Sequence, residues 1–289
     1  MLKFYLPFYY LVYSRLKTKI DFISWVIIWI VPQFVLSYLY ANMALGTFTL
    51  LFLLTQLIFN SLYEIGYIEN DVSTTDKEEN PTLRLSSEVY AYMKQNYHRV
   101  IYVRYVIVLF SLTVLYSLNG SFGIHLNIGN FILLLLVTRL FFYWHNSIRS
   151  KINLLTFSIL AVTKYIFPFT LFVMDNRELL YLSLFSMALF PLLRIIEHST
   201  HKRYAFTTYA KLVGNHDKFR IIYYLFFLSL FAFFYVVLPS IFDDYQVIFL
   251  LLIYFLLYRV SSYLLLRKGL YNRDELKNKD LYIKNMEKK

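Results

Sequence analysis

Four polar residues near the end of one apolar stretch fall at helical spacing. They are Asn60, Glu64, Tyr67 and Asp71. Their positions, i, i+4, i+7 and i+11, put them on one face of a helix that runs through them. Carboxylates on one face suit Mg²⁺, which binds one or two carboxylates together with water and phosphate oxygens. The alternative is a solvated loop, but a carboxylate this close to an apolar run is costly unless it faces a protein interior.

A second polar segment contains more bases than acids. Arg194, Glu197 and His201 lie at i, i+3 and i+7, again on one helical face. The bases that follow directly are Lys202 and Arg203. This composition favours an anion over a metal ion, since no third ligand or cysteine accompanies the histidines. The alternative is a charge cluster that only retains the loop at the cytoplasmic face.

Two further cations lie deep in apolar sequence. Arg139 and Lys164 are each near the middle of a predicted membrane span. Ionisable groups at such depth usually face a cavity or a partner. We therefore expect contact with a phosphate or a polar acceptor group, with interhelical hydrogen bonding or snorkelling as the alternative.

The composition places these residues in a membrane protein. Of 289 residues, 58% are hydrophobic and only 16% are charged. Several apolar stretches are long enough to cross a hydrocarbon core of about 30 Å. The net charge of +11 is expected to hold loops at the cytoplasmic side and to contact anionic lipid, and no soluble basic domain suggests nucleic acid. Cysteine is absent, which excludes disulfides.

The hydropathy pattern predicts about eight spans in an all-α polytopic protein. The predicted spans are 22–43, 47–63, 100–118, 129–147, 153–174, 178–197, 220–240 and 246–265. Lys and Arg are concentrated in alternate connections. By the positive-inside rule, both termini are expected to be cytoplasmic, in an inner (cytoplasmic) membrane.

We expect a single transmembrane domain over 1–289 with an internal repeat. The two long polar loops follow the second and the sixth span, so four helices separate them, which indicates a duplicated four-helix unit. The predicted parts are an interfacial amphipathic helix at 1–21, repeats at 22–145 and 146–265, and a basic tail at 266–289.

Over about residues 22–240 the chain resembles the UbiA superfamily of intramembrane prenyltransferases. Asn60 followed by Glu64 is similar to the start of that family's first acidic motif. Residues 80–84 read Asn-Pro-Thr-Leu-Arg and resemble its loop before the third helix. Residues 207–214 resemble the approach to its seventh helix. The chain departs from the pattern at Ile68, where a third acid is expected, and it has one span fewer than the family's usual nine.

The resemblance implies a transferase that joins an isoprenoid to a second substrate as diphosphate departs with the help of Mg²⁺. The implied catalytic residues are Asn60, Glu64, Asp71 and Glu197. Glu64, Asp71 and Glu197 would also bind the metal, although the family usually has more acids around the position of Glu197. The candidate phosphate- and substrate-binding residues are Tyr67, Asn70, Asp76, Lys77, Arg84, Arg139, Lys164, Arg194, His201, Lys202 and Arg203.

The sequence is also compatible with other functions. One variant of the same superfamily uses polyprenyl phosphate as the acceptor and a phosphoribosyl diphosphate as the donor, which yields a lipid-linked sugar precursor. A membrane transporter or lipid-handling protein would also have an internal repeat and buried cations. A catalytically silent scaffold is a further alternative. In every case the expected partners are the bilayer and, for the enzymes, an isoprenoid or polyprenyl (di)phosphate with a small-molecule acceptor or donor.

Overall fold

A computed structural model describes residues 1–75, 83–121, 124–148, 150–201, 204–239 and 245–269. Every regular element in these ranges is helical, which confirms the predicted all-α class. Four candidate site residues lie outside the described residues: Asp76, Lys77, Lys202 and Arg203.

The helices are numbered in chain order from the amino terminus. They are α1 (Tyr9–Arg15), α2 (Lys19–Tyr40), α3 (Leu45–Ser73), α4 (Ser87–Gln95), α5 (Tyr97–Leu118), α6 (Ile128–Ser147), α7 (Asn153–Phe172), α8 (Asn176–Met187), α9 (Pro191–Ser199), α10 (Thr207–Val213), α11 (His216–Val237) and α12 (Gln246–Arg267). Single π-helical turns occur within α2, at Val26–Ile30, and at the end of α3, at Glu69–Ser73.

Seven of the described helices are long and apolar enough to cross a membrane: α2, α3, α5, α6, α7, α11 and α12. Helices α8 and α9 meet at an angle of 46° and make an eighth candidate if the bent pair is one span. The apolar helices indicate an integral membrane protein, as the composition predicts.

Two predicted span boundaries need correction. The second span does not end at residue 63, because α3 continues to Ser73 and carries its polar residues on helical backbone. The sixth predicted span, 178–197, is broken after Met187, and α9 restarts with Pro191 in its first turn. Proline lacks a backbone donor and is well placed to start a helix but not to continue one.

The predicted interfacial helix at 1–21 is not a single helix. Residues Leu2–Tyr5 form a 3₁₀ turn, α1 follows, and a capping box between Thr18 and Asp21 starts α2. Phe4 and Tyr10 are buried against residues of α3, α4 and α5. The aromatic side chains of this segment therefore pack into the protein core.

The chain forms two compact units. The first comprises mainly Met1–Arg149 with Phe167–Met174, and the second comprises Ser150–Ile166 with Asp175–Arg273. The first unit contains α3, and the second contains α9. The repeat relation between them remains a prediction.

Within the first unit, α3 and α6 make a close approach at Gly66. A Cβ atom at Gly66 would lie 2.2 Å from the Phe142 ring, and the Gly66 carbonyl accepts a hydrogen bond of 3.1 Å from the Asn146 side chain. The ring of Phe142 also packs edge-on against Tyr63. A side chain at position 66 therefore has no room, and this contact fixes the height of α6 beside the polar end of α3.

We expect Gly66→Ala to destabilise the protein by about 1–3 kcal/mol, because the added methyl group overpacks the contact with Phe142. Gly46→Ala is the matched control in the same helix, since its Cβ would meet nothing within 4 Å. The control should leave stability unchanged or raise it by up to about 1 kcal/mol. Thermal unfolding in detergent measures both variants. Equal melting temperatures for the two would contradict the packing account.

Candidate functional site

Glu64 lies in the interior of the first unit and is paired with Arg104 of α5. The Nη2 atom of Arg104 is 2.8 Å from Oε2 of Glu64, and the two side chains are 0% and 1% exposed. Glu64 also accepts backbone hydrogen bonds from Phe8 (3.2 Å) and Leu11 (2.7 Å). These donors belong to the first turn of α1, whose free N–H groups a carboxylate satisfies well. Glu64 thus caps α1 from another helix.

Arg104 holds the turn that precedes α1. Its guanidinium donates to the backbone carbonyls of Tyr5 (2.8 Å), Leu6 (2.8 Å) and Phe4 (3.2 Å). The ion pair therefore fixes two consecutive parts of the amino-terminal segment, the 3₁₀ turn through the arginine and the start of α1 through the carboxylate. This segment covers the carboxylate predicted to be catalytic.

Asp71 is surrounded by donors. Arg15 of α1 forms a bidentate ion pair with Asp71 (2.7 and 3.0 Å), and Arg84 forms a further ion pair with it at 3.0 Å. Tyr10 Oη donates at 2.9 Å and Asn70 Nδ2 at 3.2 Å. Burial, together with the Asp71 charge, raises the pKa of Tyr10 well above its usual value, so the phenol stays protonated and donates. Both carboxylate oxygens of Asp71 therefore already accept hydrogen bonds.

Arg139, expected to contact a phosphate, is paired with a carboxylate of the same unit. Its guanidinium makes a bidentate contact with the Glu69 carboxylate, in which one hydrogen bond is 3.0 Å long. Its Nε donates to Tyr105 Oη at 2.8 Å. The π turn at the end of α3 begins at Glu69. The depth of Arg139 in its helix is thus explained by a partner, and its side chain remains 26% exposed.

The other predicted residues of this segment have local roles. Asn60 donates to the backbone carbonyl and the side-chain oxygen of Gln56 (2.9 and 3.1 Å). The ring of Tyr67 lies 4.4 Å from the guanidinium carbon of Arg15, a cation–π contact. Tyr67 therefore packs against a charged group, whereas Asn60 forms hydrogen bonds within α3.

In the second unit, Glu197 is also bound by arginines. Arg220 of α11 hydrogen-bonds to Glu197 Oε1 through its Nε and to Asp217 through its Nη1 at 2.9 Å. Arg194 lies 3.6 Å from Glu197 Oε2 and is the more exposed of the two arginines. Both arginines already contact a carboxylate, so anion binding by this segment stays a prediction.

His198, His201 and Lys164 all belong to the second unit. His198 stacks on Phe157 at a centroid distance of 3.5 Å and hydrogen-bonds to Tyr204 at 3.0 Å. The ring of His201 lies 4.8 Å from that of His198, and its residue is exposed. Lys164 is half-buried in α7. His198 thus serves packing within the second unit.

The carboxylates, as placed, do not fit a Mg²⁺ site. Among the described residues, no group of three or more His, Asp or Glu side chains is placed to hold a metal ion. The oxygens of Glu64 and Asp71 already contact arginines and backbone donors, and those of Glu197 already contact Arg220 and Arg194. Mg²⁺ would have to displace these partners. The requirement for Mg²⁺ therefore remains a prediction from the sequence.

Sequence reasoning missed three arginines that lie among these buried and partly buried charged groups. Arg104 and Arg259 lie inside predicted spans, as Arg139 does, so the same rule for intramembrane cations would have found them. Arg15 lies in the segment taken as an interfacial helix, where a basic residue is unremarkable. No local signal distinguishes it.

The first unit therefore has a partly buried charged cluster with one excess positive charge. The α3 cluster consists of three carboxylates and four arginines: Glu64, Glu69, Asp71, Arg15, Arg84, Arg104 and Arg139. Such a cluster can bind an anion, and phosphate suits the guanidinium geometry.

Searches against protein-family models, curated proteins and solved structures gave no match.

We expect Arg104→Gln to release the amino-terminal segment and to destabilise the protein by about 3–5 kcal/mol, because Glu64 would stay buried without its counter-charge. The chain has no cysteine, so Ser14→Cys supplies a single buried thiol in α1. Maleimide labelling of this thiol should accelerate at least about tenfold in the Arg104→Gln background, as local opening becomes easier.

Arg99→Gln is the matched control, since Arg99 is an exposed arginine in the same helix. It should leave the labelling rate unchanged. The same slow labelling in the Arg104→Gln and Arg99→Gln backgrounds would contradict the proposed clamp on α1.

Proposed function

We propose that this protein is a UbiA-like intramembrane transferase that joins an isoprenoid to a second substrate as diphosphate leaves. The observation that carries the proposal is the α3 cluster, a row of buried charges at the end of one candidate span. Charged groups within spans are costly and usually mark sites of function. The one excess positive charge favours a phosphorylated substrate over a neutral one.

In the proposed reaction, the allylic C–O bond breaks and its electron pair leaves with the diphosphate. A nucleophilic atom of the acceptor then bonds to the carbon and loses its proton, which passes to the departing diphosphate or to water. Negative charge grows on the leaving group, and fixed guanidinium groups stabilise that state. Arg84 and Arg139 are the members suited to this role, because their side chains are 32% and 26% exposed while Arg104 is fully buried.

The proposal places the α3 cluster at the cytoplasmic face of an inner (cytoplasmic) membrane, with both termini cytoplasmic. The distribution of Lys and Arg along the sequence supports this orientation. The isoprenoid would lie among apolar helices and its diphosphate at the polar end of α3. Dependence on Mg²⁺ belongs to the proposal on the strength of the sequence resemblance alone.

A second candidate is the transfer of phosphoribose from a phosphoribosyl diphosphate to a polyprenyl phosphate. The observation that favours it is the presence of arginines with partly exposed side chains in both units, since this reaction needs two phosphorylated substrates. Both reactions release diphosphate, so they differ in which donor is consumed and in the lipid product.

We expect the purified protein in nanodiscs to release diphosphate from geranylgeranyl diphosphate or from phosphoribosyl diphosphate plus polyprenyl phosphate. Arg84→Gln should lower kcat/KM at least about tenfold, because an arginine–phosphate contact would be lost. Arg84→Lys should fall between wild type and Gln, since it keeps the charge and loses the planar fork. A coupled phosphate assay with lipid chromatography measures both donors.

Arg99→Gln is again the control, and it should retain full activity. Addition of EDTA tests the predicted Mg²⁺ requirement. Failure of both donors to react, with substrate flux across proteoliposomes and no chemical change, would replace the proposal with transport.

A further inference from the structure

Arginines from three helices of the second unit surround Glu197. Arg194 is on α9, Arg220 is on α11 and Arg259 is on α12. Arg220 and Arg194 contact the carboxylate directly. Tyr224, one turn beyond Arg220, stacks on Phe255, one turn before Arg259, so the faces of α11 and α12 that carry these two arginines meet. With Asp217, which pairs with Arg220, this α9 cluster has three arginines and two carboxylates. One positive charge is in excess.

In the part of the chain that the structure describes, Arg259 makes no ion pair with a carboxylate. Its residue is only 7% exposed, and its Nε has no hydrogen-bond partner among the described residues. Its remaining contacts are a side-chain hydrogen bond with Tyr224 and the face of the Tyr258 ring at 5.1 Å. It lies eight residues before the end of α12 at Arg267, or about 12 Å along the helix. A buried cation here is strongly unfavourable unless an anion accompanies it.

The surroundings hold this arginine in place without neutralising it. Tyr224 donates to the carbonyl of Leu189 (2.6 Å), and Tyr223 donates to that of Ala188 (2.9 Å). Both carbonyls lie at the break between α8 and α9, so α11 is tied to that break. Because Tyr224 already donates its hydroxyl proton to Leu189, it offers Arg259 only its phenolic oxygen as an acceptor. Arg220 and Arg259 are like charges on faces of α11 and α12 that meet, and an anion beside them would relieve their repulsion.

We propose that Arg194, Arg220 and Arg259 bind the phosphate headgroup of an anionic lipid. A phosphate group matches the guanidinium fork and supplies the missing negative charge. Arg194, whose side chain is 46% exposed, gives the headgroup access, and Arg259 is the buried end of the site. The apolar span around Arg259 favours a phosphate that carries a lipid chain over free phosphate. This inference goes beyond the proposed transfer, because it needs only binding.

The test uses the full chain in detergent with dioctanoyl phosphatidic acid, dioctanoyl phosphatidylcholine and inorganic phosphate as probes. Native mass spectrometry and thermal shift measure binding. We expect phosphatidic acid to bind at least about tenfold more tightly than phosphatidylcholine or inorganic phosphate, a difference of one order of magnitude in Kd. Arg259→Met should remove that preference.

Stability without ligand separates a binding role from a structural one. Replacing an uncompensated buried cation with an apolar side chain of similar length removes its desolvation penalty, so Arg259→Met should raise the melting temperature of the ligand-free protein. Arg259→Gln should also lose the preference while it keeps a polar group beside Tyr224. Arg267→Gln, an exposed arginine of the same helix, should change neither property.

Three results would overturn the inference. The first is equal binding of phosphatidic acid and phosphatidylcholine by the wild type. The second is unchanged phosphatidic acid binding in both Arg259 variants. The third is binding of inorganic phosphate by the wild type that is as tight as that of phosphatidic acid, which would assign the site to a free anion. Because the assay needs no turnover, its outcome is independent of the diphosphate-release test on Arg84.

Discussion

The buried ion pair between Glu64 and Arg104 is the constraint on which the first unit depends. Neither charge is stable in an apolar interior without the other, so the two helices that carry them must keep their register. Each partner still has hydrogen-bonding capacity after the pair is made. The amino-terminal segment uses that capacity, because its carbonyls accept from Arg104 and its first helical turn donates to Glu64. One pair thus positions three parts of the chain.

This arrangement changes the chemistry expected of the carboxylates. A side chain that caps a helix and pairs with an arginine is a poor metal ligand, because the metal would have to replace several favourable contacts at once. The arginines are better suited to exchange partners at their exposed edges. Arg84 and Arg139 lie at the border between the buried pairs and open surface. The cluster is therefore suited to phosphate recognition by guanidinium groups.

The second unit follows the same electrostatic pattern with different residues. Its carboxylates are again fewer than its arginines, and the excess charge lies on Arg259 in an apolar helix. The break between α8 and α9 frees backbone carbonyls, and the tyrosines of α11 satisfy them.

The sequence alone determined the all-helical membrane class and the approximate spans, because hydropathy over about 20 residues is a local property. It also located the charged segments, and the spacing put residues 60–71 on one helical face on the condition that the helix continues past residue 63, which the structure then showed. Only the tertiary structure decided which arginine meets which carboxylate. Glu64 and Arg104, or Asp71 and Arg15, are far apart along the chain, and their pairing depends on helix register and on the burial of aromatic residues near Phe4. Local pattern contains no information about such contacts.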